Sequence, residues 1–496
     1  MPICQAGLRL LAPVRIAFNA PSSKTHRAVS PEQGDVSVPD VRNIRSMTAI
    51  ASVLAAMVLV VLDAAIANIA LPTIARSLVV TPAMSVWVIT AYQTALLMAL
   101  LPCAALGESL GYRRVFTVGV GLFTGASVLC ALSPSLPWLV AARFLQGLGG
   151  AAVMALGVAL LRVVVPHQRL GAAIGWNALA IALASAAGPS LGAAILSATD
   201  WPFLFGVNLP LGVLVLFATR ALPDVGGTAR RLDLFSVALN AGAFASLVIG
   251  AELLPARPAL GATFLAAASL ELAALIRREM PKKVPLIPLD LLRDDSFRLS
   301  VIASTCCFAG QTAGMVALPY FLQHGLGQDT LMAGLYMTPW PLTVAMTAPF
   351  AGRLADRVSP AWLCALGGLF LATGLGAVAL WPLKCNPLPL VPFTMLCGLG
   401  FAFFNVANNR NMFLSAPSAR SGAAGGMQGT ARLFGQTAGA VVVSLLFTLT
   451  SANAAPQISL GIGAVLTLAA GLLSTLRVRP RHSSPTPLPE SAARRQ

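Results

Sequence analysis

The chain has 496 residues, of which 57% are apolar and only 10% are charged, and its formal net charge is +16. Soluble globular proteins carry about a quarter charged residues, so this composition excludes a soluble enzyme, a disordered chain and a secreted disulfide-rich module. Together with a mean hydropathy of +0.79, it predicts an all-α polytopic membrane protein, because long apolar stretches require lipid around them.

The excess of positive charge raises nucleic acid as a partner. A nucleic-acid-binding protein gathers basic residues on one face with aromatic residues among them. Here the basic residues lie in short gaps between apolar runs, so membrane topology explains them and no nucleic acid is expected. The eight cysteines include no C-x-x-C pair, and the sequence predicts neither a metal site nor a cofactor.

Apolar runs of about 20 residues, the length that crosses a hydrocarbon layer about 30 Å thick, occur fourteen times along the chain. Each run predicts a transmembrane helix, because lipid offers no partner to an unpaired backbone group. The predicted spans are residues 49–71, 84–106, 115–134, 138–163, 170–196, 201–221, 232–254, 259–276, 298–322, 331–351, 361–381, 389–409, 424–449 and 457–476.

The orientation follows from the lysines and arginines in the short loops, which favour the cytoplasmic side. With a cytoplasmic N-terminus, 28 basic residues lie inside and three lie outside (Arg76, Arg257 and Lys384). The remaining two, Arg143 and Arg432, lie within spans. The count predicts a multi-pass protein of a bacterial inner membrane with both termini in the cytoplasm.

The two ends of the chain are polar and read as disordered cytoplasmic tails. Residues 1–46 lack the apolar core of a cleaved signal peptide, and either Met1 or Met47 could be the initiator. Residues 477–496 are rich in proline, serine and arginine.

An internal repeat relates the two halves of the chain. Leu145–Gly149 matches Leu396–Gly400 at an offset of 251 residues, and Gly188 and Gly192 match Gly435 and Gly439 at an offset of 247. Parallel repeats of this kind place a substrate site at the interface of two units. The repeat predicts six-helix bundles at 47–221 and 298–476, with two inserted helices and a basic linker at 222–297.

Enzyme and nucleotide motifs do not fit this chain. Gly107–Gly111 and Gly188–Gly192 both match G-x-S-x-G, but that motif needs a strand-to-helix turn and a histidine base. No G-x-x-x-x-G-K-[ST] phosphate-binding loop occurs. We therefore expect neither an enzyme nor a transporter that uses ATP directly.

Charged residues inside predicted spans are costly in lipid, and they are the first functional candidates. Asp63 lies just past the middle of the first span, and Arg143 lies a turn inside the outer end of the fourth, so the two should face each other. Arg432, in the thirteenth span, could serve either a cavity or helix packing. Glu252 and Glu271 lie near span ends in the inserted pair, which the repeat places outside the interface of the two units. Asp63 would then be the only acid in the cavity, and monovalent cations would be favoured over divalent ones.

Glycine marks two further features. Gly188-Pro189-x-x-Gly192 combines a face for close helix approach with a kink in the fifth span. Glycine-bearing segments also lead equivalent inner loops of the two halves, at Gly107–Leu110 and Gly352–Arg357.

Taken together, these segments resemble the major facilitator superfamily, in its fourteen-span drug:proton antiporter branch. LDAAIANIALP (62–72) resembles the first-span signature, GESLGYRR (107–114) the inner-loop gating motif, and LVAARFLQGLGGAA (139–152) the proton-linked arginine motif. ASAAGPSLGA (184–193) resembles the antiporter motif and DWPFLFGVNLPLG (200–212) the entry to the sixth span. Glu108, Ser109 and Ala184 depart from the usual residues of these motifs.

The resemblance implies alternating access, with the two bundles rocking about a central site. It also implies an inner gate, whose residues here are Gly107, Glu108, Gly111, Arg113, Arg114, Gly352, Asp356 and Arg357. It implies export of small lipophilic cationic drugs or antiseptics, with the drug and a proton competing for Asp63 while Arg143 lowers the proton affinity of that carboxylate. A carrier of the same fold for a metabolite, siderophore or lipid is the alternative, and a non-transporting membrane sensor is a weaker one. The sequence leaves open an accessory periplasmic partner.

The orientation is directly testable. A reporter domain fused after residue 290 should report the cytoplasmic side, and one fused after residue 384 should report the outside. Residue 290 lies in one of the predicted inner loops, in which the basic residues concentrate. Signals from the same side for both fusions would contradict the fourteen-span topology.

Overall fold

A computed structural model describes residues 41–165, 170–224, 233–282, 289–382, 387–416 and 420–477. Within these ranges the regular structure is helical. The helices are α1 (Val41–Ser77), α2 (Pro82–Leu110), α3 (Tyr112–Ala131), α4 (Leu136–Val164), α5 (Leu170–Ala198), α6 (Pro202–Gly206), α7 (Asn208–Ala218), α8 (Leu234–Leu253), α9 (Pro258–Glu279), α10 (Asp295–Tyr320), α11 (Thr330–Met337), α12 (Pro339–Arg357), α13 (Pro360–Leu380), α14 (Leu390–Ser415), α15 (Ser421–Leu449) and α16 (Ala455–Thr475).

Thirteen segments of the described chain are long and apolar enough to cross a membrane. The predicted span at 331–351 is not among them, and its helix is divided at Thr338 into α11 and α12. Pro339 and Pro341 explain the division, since neither can donate a backbone hydrogen bond. Thr338 itself keeps helical dihedral angles, φ −61° and ψ −37°, so the two short helices follow one another in the same direction. The sixth span is also composite, with α6 and α7 separated at Val207.

The helices form two six-helix bundles with two inserted helices, as the sequence predicts. In the first bundle, α4 packs against α2 and α3, and α3 packs against α7. In the second, α13 packs against α14 and α16, and α10 packs against α15 and α16. The inserted helices α8 and α9 pack mainly against each other, and α8 also contacts α2 and α15.

The internal repeat has a direct counterpart in how the helices pack. A Cβ atom on Gly149 of α4 would come within 2.5 Å of the backbone nitrogen of Phe123 in α3. A Cβ atom on the matching Gly400 of α14 would come within 2.6 Å of the carbonyl oxygen of Gly367 in α13. Equivalent glycines therefore allow equivalent helices of the two bundles to touch.

The second pair of matched glycines shows the same relation. A Cβ atom on Gly192 of α5 would lie 2.8 Å from Ile69 of α1, and one on Gly439 of α15 would lie 3.1 Å from the Cα atom of Ala309 in α10. Thus α5 meets α1 as α15 meets α10, and the sequence repeat is a repeat of helix contacts.

The two bundles are joined near the predicted outer face, where α1 ends and α2 begins. Arg76 of α1 donates to Gln323, just beyond α10, over 3.1 Å. The hydroxyl groups of Ser85 (α2) and Tyr320 (α10) share a short hydrogen bond, and those of Ser190 (α5) and Thr338 share another. These contacts join the two bundles at that face and, through Ser190 and Thr338, about two helical turns farther in.

An ionic cluster ties the inserted helices together at the opposite face. Asp233, which caps α8, accepts from Arg278 over 2.9 Å and from Lys282 over 2.6 Å. Salt bridges from Arg278 and Lys282 hold the pKa of Asp233 well below its usual range. Glu279, the last residue of α9, is buried and also pairs with Lys282. These salt bridges hold the start of α8 against the end of α9.

The predicted tails lie mostly outside the described residues, which include neither 1–40 nor 478–496. Helix α1 begins at Val41, so its first residues fall inside the segment predicted as the tail 1–46. Parts of the predicted linker, residues 225–232 and 283–288, also lie outside the described ranges.

Candidate functional site

A buried ion pair lies inside the first bundle. The guanidinium Nη1 of Arg143 (α4) is 2.6 Å from Oδ2 of Asp63 (α1). The two residues are only 1% and 2% exposed. The prediction that these residues face each other is confirmed.

The second carboxylate oxygen of Asp63 is held by two side-chain amides. Oδ1 accepts from Nε2 of Gln146 over 3.0 Å and from Nδ2 of Asn208 over 2.6 Å. Both amides also approach the hydroxyl of Ser127 in α3, at 2.8 Å and 3.4 Å. The carboxylate thus receives three side-chain donors, from Arg143, Gln146 and Asn208.

The guanidinium of Arg143 is held as fully as the carboxylate. Nε donates to the carbonyl of Val88 in α2 over 3.2 Å, and Nη1 also donates to Oε1 of Gln146 over 2.5 Å. The rings of Tyr92 and Phe205 lie 4.2 Å and 5.5 Å from its central carbon, where cation–π attraction applies. Arginine suits this site because it stays charged in a dry surrounding.

Sequence reasoning missed Gln146, Asn208 and Ser127. Gln146 follows Arg143 by three residues, so both lie on one face of α4, and this spacing was a usable signal. Asn208 was the one uncharged polar residue of the segment DWPFLFGVNLPLG. Ser127 gave no signal, because a serine in a membrane helix commonly bonds its own backbone, as Ser127 also does to Phe123.

The packing of this network bears on substrate access. Both oxygens of Asp63 are engaged, and the residue is 2% exposed. A bulky cation therefore does not reach the carboxylate in this conformation. The inference that monovalent cations are favoured rested on Asp63 as an acid of the open cavity, and the structure removes that basis.

Arg432 lies in α15, the helix of the second bundle that packs along α2. Its Nε is buried and has no hydrogen-bond partner in the described part of the chain. A Cβ atom on the neighbouring Gly429 would lie 3.1 Å from Leu100 of α2, and Leu433 packs into the core of the first bundle. Arg432 is therefore on the helix that joins the bundles, and no hydrogen bond described links it to Asp63.

The predicted inner gate begins at a sharp turn. Gly111 is the single residue between α2 and α3, and it has φ 96°, a conformation that residues with a Cβ atom rarely adopt. Its amide donates to the carbonyl of Gly107 over 3.0 Å. A Cβ atom on Gly107 would collide with Leu156. Gly111 is thus required by its backbone conformation, whereas a side chain at Gly107 would have to displace the end of the Leu156 side chain.

The charged residues of the predicted gate are exposed or half-buried. Glu108, Arg114 and Arg357 are exposed, and Arg113 is half-buried. Asp356 pairs with Arg410 of α14 over 3.0 Å. Gly352, in contrast to Gly107, faces open space and no close contact requires it.

The predicted antiporter motif lies where α5 touches both bundles. A Cβ atom on Gly188 would collide with Ala65 of α1, and one on Gly334 of α11 would come within 2.7 Å of the carbonyl of Pro189. Gly188 and Gly192 thus face α1, while Pro189 faces the second bundle. The kinked segment of α5 is a point of contact between the bundles.

Glu252 is not outside the interface of the two units, contrary to the sequence-based expectation. Its Oε2 is 2.7 Å from the hydroxyl of Ser444 in α15, and this hydroxyl is 3.4 Å from the carbonyl of Ala83 in α2. The expectation failed because α8 packs against both bundles. Glu271 is within the inserted pair, with a carboxylate oxygen that would lie 2.7 Å from a Cβ atom on Gly242 of α8.

Comparisons with known proteins agree with this architecture. The family model of the Major Facilitator Superfamily matches residues 53–276 and 300–496. The chain is 42% identical to the uncharacterized transporter YebQ of Escherichia coli, over 87% of this chain and 95% of that protein. It is 33% identical to the multidrug resistance protein Stp of Mycobacterium tuberculosis, over 81% and 76% of the two chains.

Two further similarities bear on fold and cargo. The chain is 28% identical to the riboflavin transporter RibZ of Clostridioides difficile, over 78% of this chain and 85% of that protein. Among solved structures, a peptide transporter in complex with alafosfalin superposes with a TM-score of 0.67 at 14% identity, over 88% and 98% of the two chains. That likeness concerns the fold alone.

The turn at Gly111 generates a prediction. Gly111→Val places a β-branched residue at φ 96°, which should cost about 1–3 kcal/mol. We expect the transport rate to fall more than the affinity for substrate, because the turn lies at the predicted gate. Transport rates in vesicles and a fluorescence binding titration would separate the two.

Gly125→Ala, within α3 and outside the predicted gate, is the matched control. A Cβ atom there meets no atom within 4 Å, and alanine is the better helix residue by about 1 kcal/mol. Wild-type transport is expected for this variant. Equal loss of binding and rate in Gly111→Val would contradict a role in the conformational cycle.

Proposed function

Because this chain belongs to the major facilitator superfamily, we propose that it is a proton-driven exporter of lipophilic cationic drugs or antiseptics that works by alternating access. It is a multi-pass membrane transporter of small substrates and not an enzyme. The proposal includes a bacterial inner membrane, cytoplasmic termini, and rocking of the bundle at 47–221 against the bundle at 298–476 about a central site, with the inserted helices and linker at 222–297 between the bundles in sequence. Arg432, the inner gate and the antiporter motif are proposed parts of that motion.

The Asp63–Arg143 pair carries the proposal. Each charge is buried, and each compensates the other at 2.6 Å. A proton on Asp63 would remove the negative charge and leave the guanidinium buried without a counter-ion. Breaking one side of a buried pair costs about 3–5 kcal/mol, so the surrounding helices must rearrange to relieve it.

The helices that would rearrange are those that also meet the second bundle. Asp63 lies in α1, and α1 packs through Ala65 and Ile69 against Gly188 and Gly192 of α5. Through Pro189, α5 in turn contacts Gly334 of the second bundle. Protonation of one carboxylate thereby has a short packed route to the interface at which the bundles move. The drug and the proton then compete through conformation rather than by contact with the same oxygen atoms.

The similarity to the multidrug resistance protein Stp supports a drug as cargo. The similarity to a riboflavin transporter supports the alternative, a carrier of the same fold for a metabolite. Export assays with and without an uncoupler would distinguish them. Unchanged drug sensitivity on deletion and on overexpression would favour the metabolite carrier.

Asp63→Asn tests the coupling role. The amide keeps the shape of the carboxylate but cannot bind and release a proton, so we expect accumulation of drug against a gradient in everted vesicles to fall to background. Amounts in the membrane should stay near wild type. Wild-type export against a gradient would contradict the proposal.

Asp329→Asn is the control for loss of a carboxylate. Asp329 caps α11 by accepting from the amide of Met332 over 2.6 Å. Asparagine caps helices about as well as aspartate. This variant should export at the wild-type rate.

A further inference from the structure

Glu252 occupies the seam where three helices meet near the predicted outer face: the end of α8, the start of α2 and the end of α15. Its Oε2 is 2.7 Å from the hydroxyl of Ser444, and that hydroxyl is 3.4 Å from the carbonyl oxygen of Ala83. Its Oε1 is buried and has no hydrogen-bond partner among the described residues. We call the set Glu252, Ser444 and Ala83 the outer seam.

The hydrogen bonds that the outer seam can form indicate that Glu252 carries a proton. Ser444 has one hydroxyl hydrogen and two acceptors within reach, the carboxylate and the carbonyl of Ala83. If Glu252 is ionised, Ser444 must turn its hydrogen to the carboxylate, and the carbonyl receives nothing from it. If Glu252 is protonated, it donates to Ser444, and Ser444 donates to Ala83. Only the protonated form links α8, α15 and α2 in one chain of hydrogen bonds.

No cation in the described chain offsets a negative charge on Glu252. No lysine, arginine or histidine nitrogen described lies within 4.0 Å of its carboxylate, whereas Asp63 has Arg143 at 2.6 Å. Arg432, the charged residue of α15, is 12 residues from Ser444, about 18 Å along the helix. Arg257, in the turn after α8, is exposed.

The remaining titratable groups on the helices packed against α8 lie farther from Glu252 along those helices. On α2 the hydroxyl of Tyr92 reaches the carbonyl of Val60 inside the first bundle. On α9, Glu271 faces Gly242, ten residues from Glu252. The others are Cys103, Glu108, Arg277, Arg278 and Glu279. A buried carboxyl group without a counter-ion is held most cheaply as the neutral acid.

We propose that Glu252 is a second proton-binding site, distinct from Asp63, which binds a proton when the bundles close at the outer face. When the bundles separate there, Ser444 leaves α2, the carboxyl group meets water, and the proton passes from Glu252 to the outer solution. The proton returns to the same side from which it came, so it sets the pH dependence of closure and is not the transported proton. The role of this site in transport rests on the proposed function, whereas the binding of a proton by Glu252 does not.

The proposal predicts a pH-dependent distance between the bundles. Spin labels at Val79→Cys and Asn453→Cys, in a full-length chain without other cysteines, would report the outer face in nanodiscs without substrate. Because closure binds one proton, the ratio of closed to open molecules should fall by up to about tenfold per pH unit as the pH rises. In Glu252→Gln the amide donates permanently to Ser444, so the closed state should persist at every pH.

Further variants make the test specific. Glu252→Ala and Ser444→Ala cannot complete the chain of hydrogen bonds, so both should show a smaller closed fraction. Glu252→Ala should have no pH response, whereas Ser444→Ala should keep one, because its Glu252 must still bind a proton to be buried without a counter-ion. Glu271→Gln is the matched control, since it makes the same change in the same inserted pair without contact to Ser444, and it should keep the wild-type response. A wild-type distance that does not change with pH, or a full response in Glu252→Gln, would overturn the proposal.

The same labels separate this inference from the proposed function. Asp63→Asn should lose accumulation of drug yet keep the pH response at the outer face. If Asp63→Asn still accumulates drug, the proposed coupling is wrong, and the distances between the spin labels alone decide whether Glu252 binds a proton on closure. If Asp63→Asn is inactive and the wild-type distance ignores pH, the site at Glu252 alone is wrong.

Discussion

The buried ion pair of Asp63 and Arg143 is the constraint on which the first bundle depends. Taking two charges out of water costs several kcal/mol per ion, and their attraction offsets this only when the remaining donors and acceptors are also satisfied. Gln146, Asn208 and Ser127 supply those partners from α4, α7 and α3. A shift of one of these helices would leave a buried polar group unpaired, so the network fixes how the helices sit against one another.

The two bundles share their packing but not their chemistry. At the repeat offset of 251 residues, Arg143 corresponds to Thr394 and Gln146 to Cys397, so the polar network has no equivalent there. Cys397 is instead buried in an apolar cluster. Matched glycines bring equivalent helices together in both halves, while the buried ion pair described here lies in the first. A carrier needs this difference between its bundles if one bundle responds to protons and the other supplies the surface against which the first one moves.

The inserted helices are part of that frame. Because α8 packs against α2 and α15, it lies across the line along which the bundles would separate. The ionic cluster around Asp233 fixes the inserted hairpin at one face, and Glu252 meets both bundles at the other. A hairpin held at one end and joined to the moving parts at the other can respond to their motion.

The sequence by itself determined the membrane class, the number of apolar runs, the repeat and the pairing of Asp63 with Arg143. These follow from composition, from the length of lipid that a helix must cross, and from the cost of an unpaired charge in lipid, all of which are local or pairwise. Only the tertiary structure revealed Gln146, Asn208 and Ser127 as the partners of the carboxylate, since neutral polar residues carry little cost that would mark them in sequence. It also decided the place of Glu252, because periodicity shows which residues share a face of α8 but not which helices that face will meet.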